Sequence, residues 1–131
     1  MKAVKNAYED ANRYIKNAVE LLKEKAGREN GFYQDKKYVR MAGDTAWKGV
    51  LIAADQWLKR KGISWQKKSR PDVDWYISEI GKRNRKLTSH FVVAYDILHK
   101  SMGYDGIQDT NVVNTGIHRA YEIIALCERG S

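Results

Sequence analysis

With 131 residues, 43% of them hydrophobic and 31% charged, one proline and one cysteine, the chain fits a single domain over residues 1–131. Those numbers exclude collagen-like, low-complexity and disulfide-framed classes. The formal net charge is +8. No apolar run approaches the roughly 18 residues of a membrane span, and Met1-Lys2-Ala3-Val4-Lys5 begins no signal peptide. The expectation is a cytoplasmic protein with no membrane partner, its lone Cys127 suited to a reducing compartment.

Four amphipathic helices are predicted. Val4, Tyr8, Ala11, Ile15, Ala18 and Leu22 alternate in steps of four and three, one apolar stripe of a helix over 4–26 that stops at Gly27. Arg28 to Gln34 reads as a polar connection broken by Gly31. Asp35 is a good N-cap for a helix over 36–62, because its carboxylate can accept from unpaired first-turn amides. This helix carries two apolar rows: Val39, Ala42, Ala46, Val50, Ala53 and Trp57, then Tyr38, Met41, Trp47, Leu51, Ala54 and Leu58. A stripe of double width implies more than one neighbour, so this helix is expected to be the most buried. Its small residues, Gly43 among them, allow close approach. Ser69-Arg70-Pro71-Asp72 imitates a capping box and opens a helix over 71–102. Its stripe is Val73, Ile77, Ile80, Asn84, Leu87, Phe91, Ala94 and Leu98, and the unbroken spacing across Asn84 predicts one continuous rod. Gly103-Tyr104-Asp105-Gly106 is a turn. The capping residues Asp109-Thr110-Asn111 then start a helix over 111–128 with Val113, Ile117, Ala120, Ile124 and Cys127 in a row. No strand-like alternation of useful length occurs. The predicted fold is all-α, an antiparallel up-and-down four-helix bundle.

The charge is uneven. Ten basic and three acidic residues lie between Lys59 and Lys86, so this stretch alone carries +7. Such a local positive field attracts an anionic partner, nucleic acid or an acidic protein. The candidate anion-binding residues are Lys59, Arg60, Lys61, Lys67, Lys68, Arg70, Arg83 and Arg85, with Trp65 and Trp75 interleaved. On a continuous third helix, Lys82 to Lys86 would lie roughly 15–20 Å from the loop cations, extending them into a stripe.

Catalytic and metal chemistry finds less support. Cys127 falls on an apolar row, where a free thiol packs as a small hydrophobe. Asp96-x-x-His99 and His118-x-x-x-Glu122 pair acid with imidazole, but no Glu-x-x-His is present, and no metal or cofactor is expected. No glycine-rich phosphate loop follows a strand. His99 near a helix end is read as a partner for the last carbonyls, and His118 as solvent-facing.

Arg83-Asn84-Arg85-Lys86-Leu87-Thr88-Ser89-His90 is similar to the arginine-to-histidine motif of the HEPN superfamily of helical bundles, many of them metal-independent ribonucleases. Tyr38 to Trp47 and Val50 to Ala54 look like the second helix of those bundles. The resemblance implies a helical bundle with a composite site across a homodimer, in which histidine moves a ribose proton and arginine stabilises phosphorane charge. In the family's register, however, the motif closes the third helix. Here that place holds Leu98-His99-Lys100-Ser101-Met102-Gly103-Tyr104, which has no arginine. On a continuous helix Arg85 and His90 also diverge by about 140°. Ala94-Tyr95-Asp96-Ile97-Leu98-His99, with Gly103 to Gly106, resembles an uncharacterised group of small bacterial helical proteins. The sequence reading is therefore a non-catalytic, HEPN-like binding module that uses its basic stretch. An endoribonuclease built on Arg83, Arg85 and His90, and a plain assembly module, are the alternatives.

Overall fold

A computed structural model describes residues 2–66 and 68–130, with side chains from Asn6 onward. The chain is all-α: helices make up 76% of it, beside one two-residue hairpin. Helix α1 (Lys2–Leu21) widens over Leu22–Ala26 into a π-helical turn. The hairpin strands β1 (Arg28–Glu29) and β2 (Phe32–Tyr33) pair in place of the plain connection expected there. Helix α2 (Lys36–Arg60) follows, then α3 (Val73–Gly81) and α4 (Arg85–Ala94). The last runs on as a π-helical segment, Tyr95–Tyr104, before α5 (Thr110–Glu128).

Three expected caps form. Asp35 accepts from the Lys37 amide at 3.0 Å, and Asp109 from Asn111 and Val112 at 2.8 and 3.2 Å. The third forms three residues later than the Ser69 box implied: Asp72 is the N-cap, accepting from Trp75 at 3.1 Å.

The continuous third helix does not form. Asn84 is extended, at φ −152° and ψ 105°, and its side chain accepts from the Leu87 amide at 2.9 Å. It starts a new helix. The residue that alone broke the apolar row is a cap, which explains how the periodicity survives the break. Helix α3 folds back along α4 as an antiparallel hairpin: Gly81 faces Thr88, and Tyr76 stacks on Phe91 with ring centroids 5.8 Å apart. Val73 reaches the level of Tyr95, where both line one cavity. On one continuous helix, Tyr76 and Phe91 would lie about 22 Å apart.

Helix α2 touches α1, α3, α4, α5 and the π-helical segment. Eleven of its 25 residues are buried against nine of 19 in α5, so in that respect the two are alike. The contacts are close because glycines permit them. A Cβ on Gly43 would lie 2.5 Å from the Leu98 carbonyl oxygen, and one on Gly49 would lie 2.8 Å from that of Ala11. One core, from Tyr8 and Ile15 through Val50 and Trp57 to Phe91, Leu98 and Ile124, runs through the molecule.

Two loops meet at the end where α2 begins. Tyr33 donates to the Gln108 carbonyl at 2.8 Å, and Thr110 donates to Gly31 through its amide and its hydroxyl, at 3.1 and 3.0 Å. At the other end, the loop after α2 descends along that helix to Asp72.

Candidate functional site

The break decides where the cations go. Gly43 packs on Leu98 and Met102, and Trp47 on Phe91 and Tyr95, so α2 and the α4 rod are antiparallel. Continued upward, that register sets the C-terminus of α2 beside the turn between α3 and α4. Lys82, Arg85 and Lys86 therefore sit at the same end as Lys59, Arg60 and Lys61. A continuous rod would carry them away from Lys59 to Lys61; here it is Arg70, bonded to Asp55 and Tyr76 near the start of α3, that lies a helix length from Lys82.

Not all the predicted cations are available. Arg70 bonds through one nitrogen to Asp55 Oδ2 at 2.5 Å and to the Tyr76 hydroxyl at 2.7 Å, while that hydroxyl donates to Asp55 Oδ1 at 2.6 Å. Burial opposes the Arg70 charge, but Asp55 and Tyr76 outweigh it and raise its pKa. Burial, then the Asp55 carboxylate, push the Tyr76 phenol well above its usual range. Arg83 donates to the Glu79 carbonyl at 2.8 Å and to its carboxylate at 3.2 Å, and Lys82 holds the other carboxylate oxygen at 3.0 Å. The hydrogen bond from Lys82, then the pull of both cations, keeps the Glu79 carboxyl below its usual value. Lys61 reaches the Gly130 carbonyl at 3.4 Å and lies over the Trp57 ring. Arg60 lies against Gly130 as well. Both lie near the negative end of the α5 dipole. Lys59, Lys68, Arg85 and Lys86 are exposed, with no ion pair among the described residues. Lys67 lies outside the described residues.

The three groups of the nuclease alternative do not converge. Arg83 is committed to Glu79 in the turn, and Arg85 and His90 leave α4 in different directions. His90 pairs instead with α5: its Nδ1 accepts from Arg119 at 3.1 Å. Burial, then the Arg119 charge, lower the His90 pKa and keep it neutral. His118, largely exposed, lies 3.6 Å from Glu122. Cys127 is core, its thiol pushed by burial up to about 12. No cluster of three metal-binding side chains occurs among the described residues.

A second feature escaped the sequence reading. His99 does not cap its helix; it stacks on Tyr95, with centroids 5.3 Å apart and planes 18° from parallel. Trp47 lies 5.5 Å from the Tyr95 ring and 6.1 Å from that of His99. These rings, with Leu51, Pro71, Val73 and Tyr76, line a cavity of about 240 Å³ that has Arg70 and Asp72 on its rim. Tyr95 and His99 stand four residues apart, a spacing that shares a helix face, but the sequence reading paired His99 with Asp96. That Trp47 and Pro71 face it required the tertiary pairing.

The fold and these surfaces define a small all-helical protein with a cationic end and an aromatic pocket. Among the described residues no helix is long and apolar enough to cross a membrane. The chain belongs to the family described as Domain of unknown function (DUF5618), whose model matches residues 6–129. It is also similar to a solved structure of a protein of unknown function from Dyadobacter fermentans, with 43% identity over 96% of both chains and a TM-score of 0.85. No curated protein matches it.

Proposed function

We propose that this protein is a non-catalytic binding module that holds an anionic polymer, nucleic acid, on its cationic end. The observation that carries this reading is the fold-back of α3 along α4. It brings Lys82, Arg85 and Lys86, more than twenty residues from Lys59 and Lys61, to the same end of the molecule. Lys59, Arg60, Lys61, Lys68, Arg85 and Lys86 supply the field, while Arg70 and Arg83 are withdrawn into ion pairs. The HEPN likeness enters as architecture, an up-and-down bundle whose third member is broken. The endoribonuclease alternative loses support because Arg83 and His90 are bonded elsewhere.

Phosphate contacts made by lysines give sequence-independent binding that falls steeply with salt. The test is oligonucleotide binding at about 50 and about 300 mM salt for the parent and two charge-reversed variants. One replaces Lys59, Lys61 and Lys68 with glutamate; the other replaces Lys82, Arg85 and Lys86. Both should weaken binding, since one surface is involved, while Lys16→Glu on α1 should not. Absence of binding at low salt, or a variant that binds like the parent, refutes the reading. Binding of a polyglutamate probe but not of oligonucleotides would instead assign the end to an acidic protein.

A further inference from the structure

The cavity between α2, the start of α3 and the π-helical segment is built of aromatic faces with polar groups at its edge. We propose that it is a binding site for a planar heteroaromatic ring of the nucleobase type. Its walls are the Trp47 indole and the stacked pair Tyr95–His99. The parts of these rings that line the cavity give it an aromatic surface on which another ring can stack. The volume, about 240 Å³, exceeds the roughly 150 Å³ of an apolar cavity that admits benzene, so one fused bicycle fits.

The edge groups select polarity. Among the described residues, no hydrogen bond engages the Trp47 indole N–H, the Tyr95 hydroxyl or the His99 ring nitrogens. Arg70 is fixed through one terminal nitrogen by Asp55 and Tyr76, which leaves its other N–H groups free on the cavity rim. Asp72 stands on the same rim and supplies acceptors. Donor and acceptor together match a neutral ring with both at its edge. They do not match a simple anion, which Asp72 repels, or a simple cation, which Arg70 repels. A purely apolar ring would leave these groups unpaired and desolvated.

The pocket is also held rigid. Gly43 and Gly103 let the π-helical segment lie directly on α2, since a Cβ on either would come within 2.5 Å of a neighbouring oxygen. Windings of this kind are uncommon over more than a single turn and recur at functional sites. This one places Tyr95 and His99 beside Trp47. None of it depends on the cationic end.

Such a ring can come from a free nucleoside or from an unstacked base of a strand. The test is protein-observed NMR, with indole N–H signals assigned by single Trp→Phe substitutions, titrated with adenosine, then with a single-stranded oligonucleotide and its duplex. Adenosine at up to about 5 mM should give saturable shifts of the Trp47 signal, larger than those at Trp65. Tyr95→Leu and His99→Gln should each weaken adenosine at least about threefold, with helicity unchanged by circular dichroism. The charge-reversed variants at the cationic end should leave adenosine binding intact. Single strand shifting Trp47 while duplex does not would name the strand as the source; adenosine alone would name the free nucleoside. No Trp47 shift with either, equal shifts in the two variants, or equal binding of benzene would overturn the proposal.

Discussion

Replacing Asn84 with alanine tests the break between α3 and α4 by the sign of its effect. The Asn84 side chain accepts one hydrogen bond, from the Leu87 amide at 2.9 Å, and its extended backbone lets the chain reverse. Alanine accepts no such bond, and removing an N-cap of this type costs about 1 kcal/mol, within a range of roughly 0.5–2. Were 71–102 one helix, Asn84 would sit in its interior, and alanine would gain about 0.6 kcal/mol from propensity. The two structures therefore demand opposite signs. With a urea slope of about 2 kcal/mol per molar, the cap's loss lowers the unfolding midpoint by about 0.5 M. Asn84→Asp, an equal cap, should keep the midpoint within about 0.2 M of the parent. A midpoint for the alanine variant at or above the parent's refutes the hairpin.

Ala46, fully buried in α2, leaves no room for a solvated carboxylate, so Ala46→Asp should cost more than about 4 kcal/mol, against a total of about 5–15. Loss of the cooperative thermal transition, or failure to accumulate folded protein, is the expected readout; a two-state melt within a few degrees of the parent contradicts the packing. The lowered pKa of His90 implies a pH dependence. Below its ordinary value of 6.5 the unfolded chain takes a proton that the folded imidazole, bonded to Arg119, refuses, so this group's stabilisation is present above 6.5 and lost as pH falls through the folded value. Relative to His90→Gln, the parent should lose stability between about pH 7 and pH 5 in urea titrations. An NMR titration placing His90 at or above 6.5 would remove the basis of that expectation.

The helices were legible wherever local chemistry decided them. Asp35 and Asp109 cap where short polar side chains should, and the rows of α1 and α5 are buried where described. The same logic misplaced Asn84, because a polar residue on an apolar row fits either a tolerated flaw or a cap. The choice was made by Tyr76 meeting Phe91, a contact that no periodicity encodes. The candidate surfaces divide in the same way. The excess of positive charge was countable in the sequence, but which cations are spent was not. Arg70 finds Asp55 across fifteen residues and Arg83 finds Glu79 across four, and only the second spacing is a helical one. The sequence reading paired His99 with Asp96 and not with Tyr95, and Trp47 comes to that pair of rings from another helix.

The two ends of the molecule are fastened differently, and this orders how the protein opens. Where α2 begins, main chain bonds to main chain between loops more than seventy residues apart, from Tyr33 to Gln108 and from Thr110 to Gly31. Along the loop that runs down from the cationic end, no backbone hydrogen bond ties the described residues of 64–72 to another element; Arg70 and the Trp65 ring beneath it hold that loop by side chains. The amides of Ser64, Trp65, Gln66, Lys68, Ser69 and Arg70 should exchange with solvent through small local openings, and those of Tyr33 and Thr110 only when the core comes apart. A ligand arriving at the loop that follows α2 meets a face that can rearrange at little cost, mounted on a base that cannot.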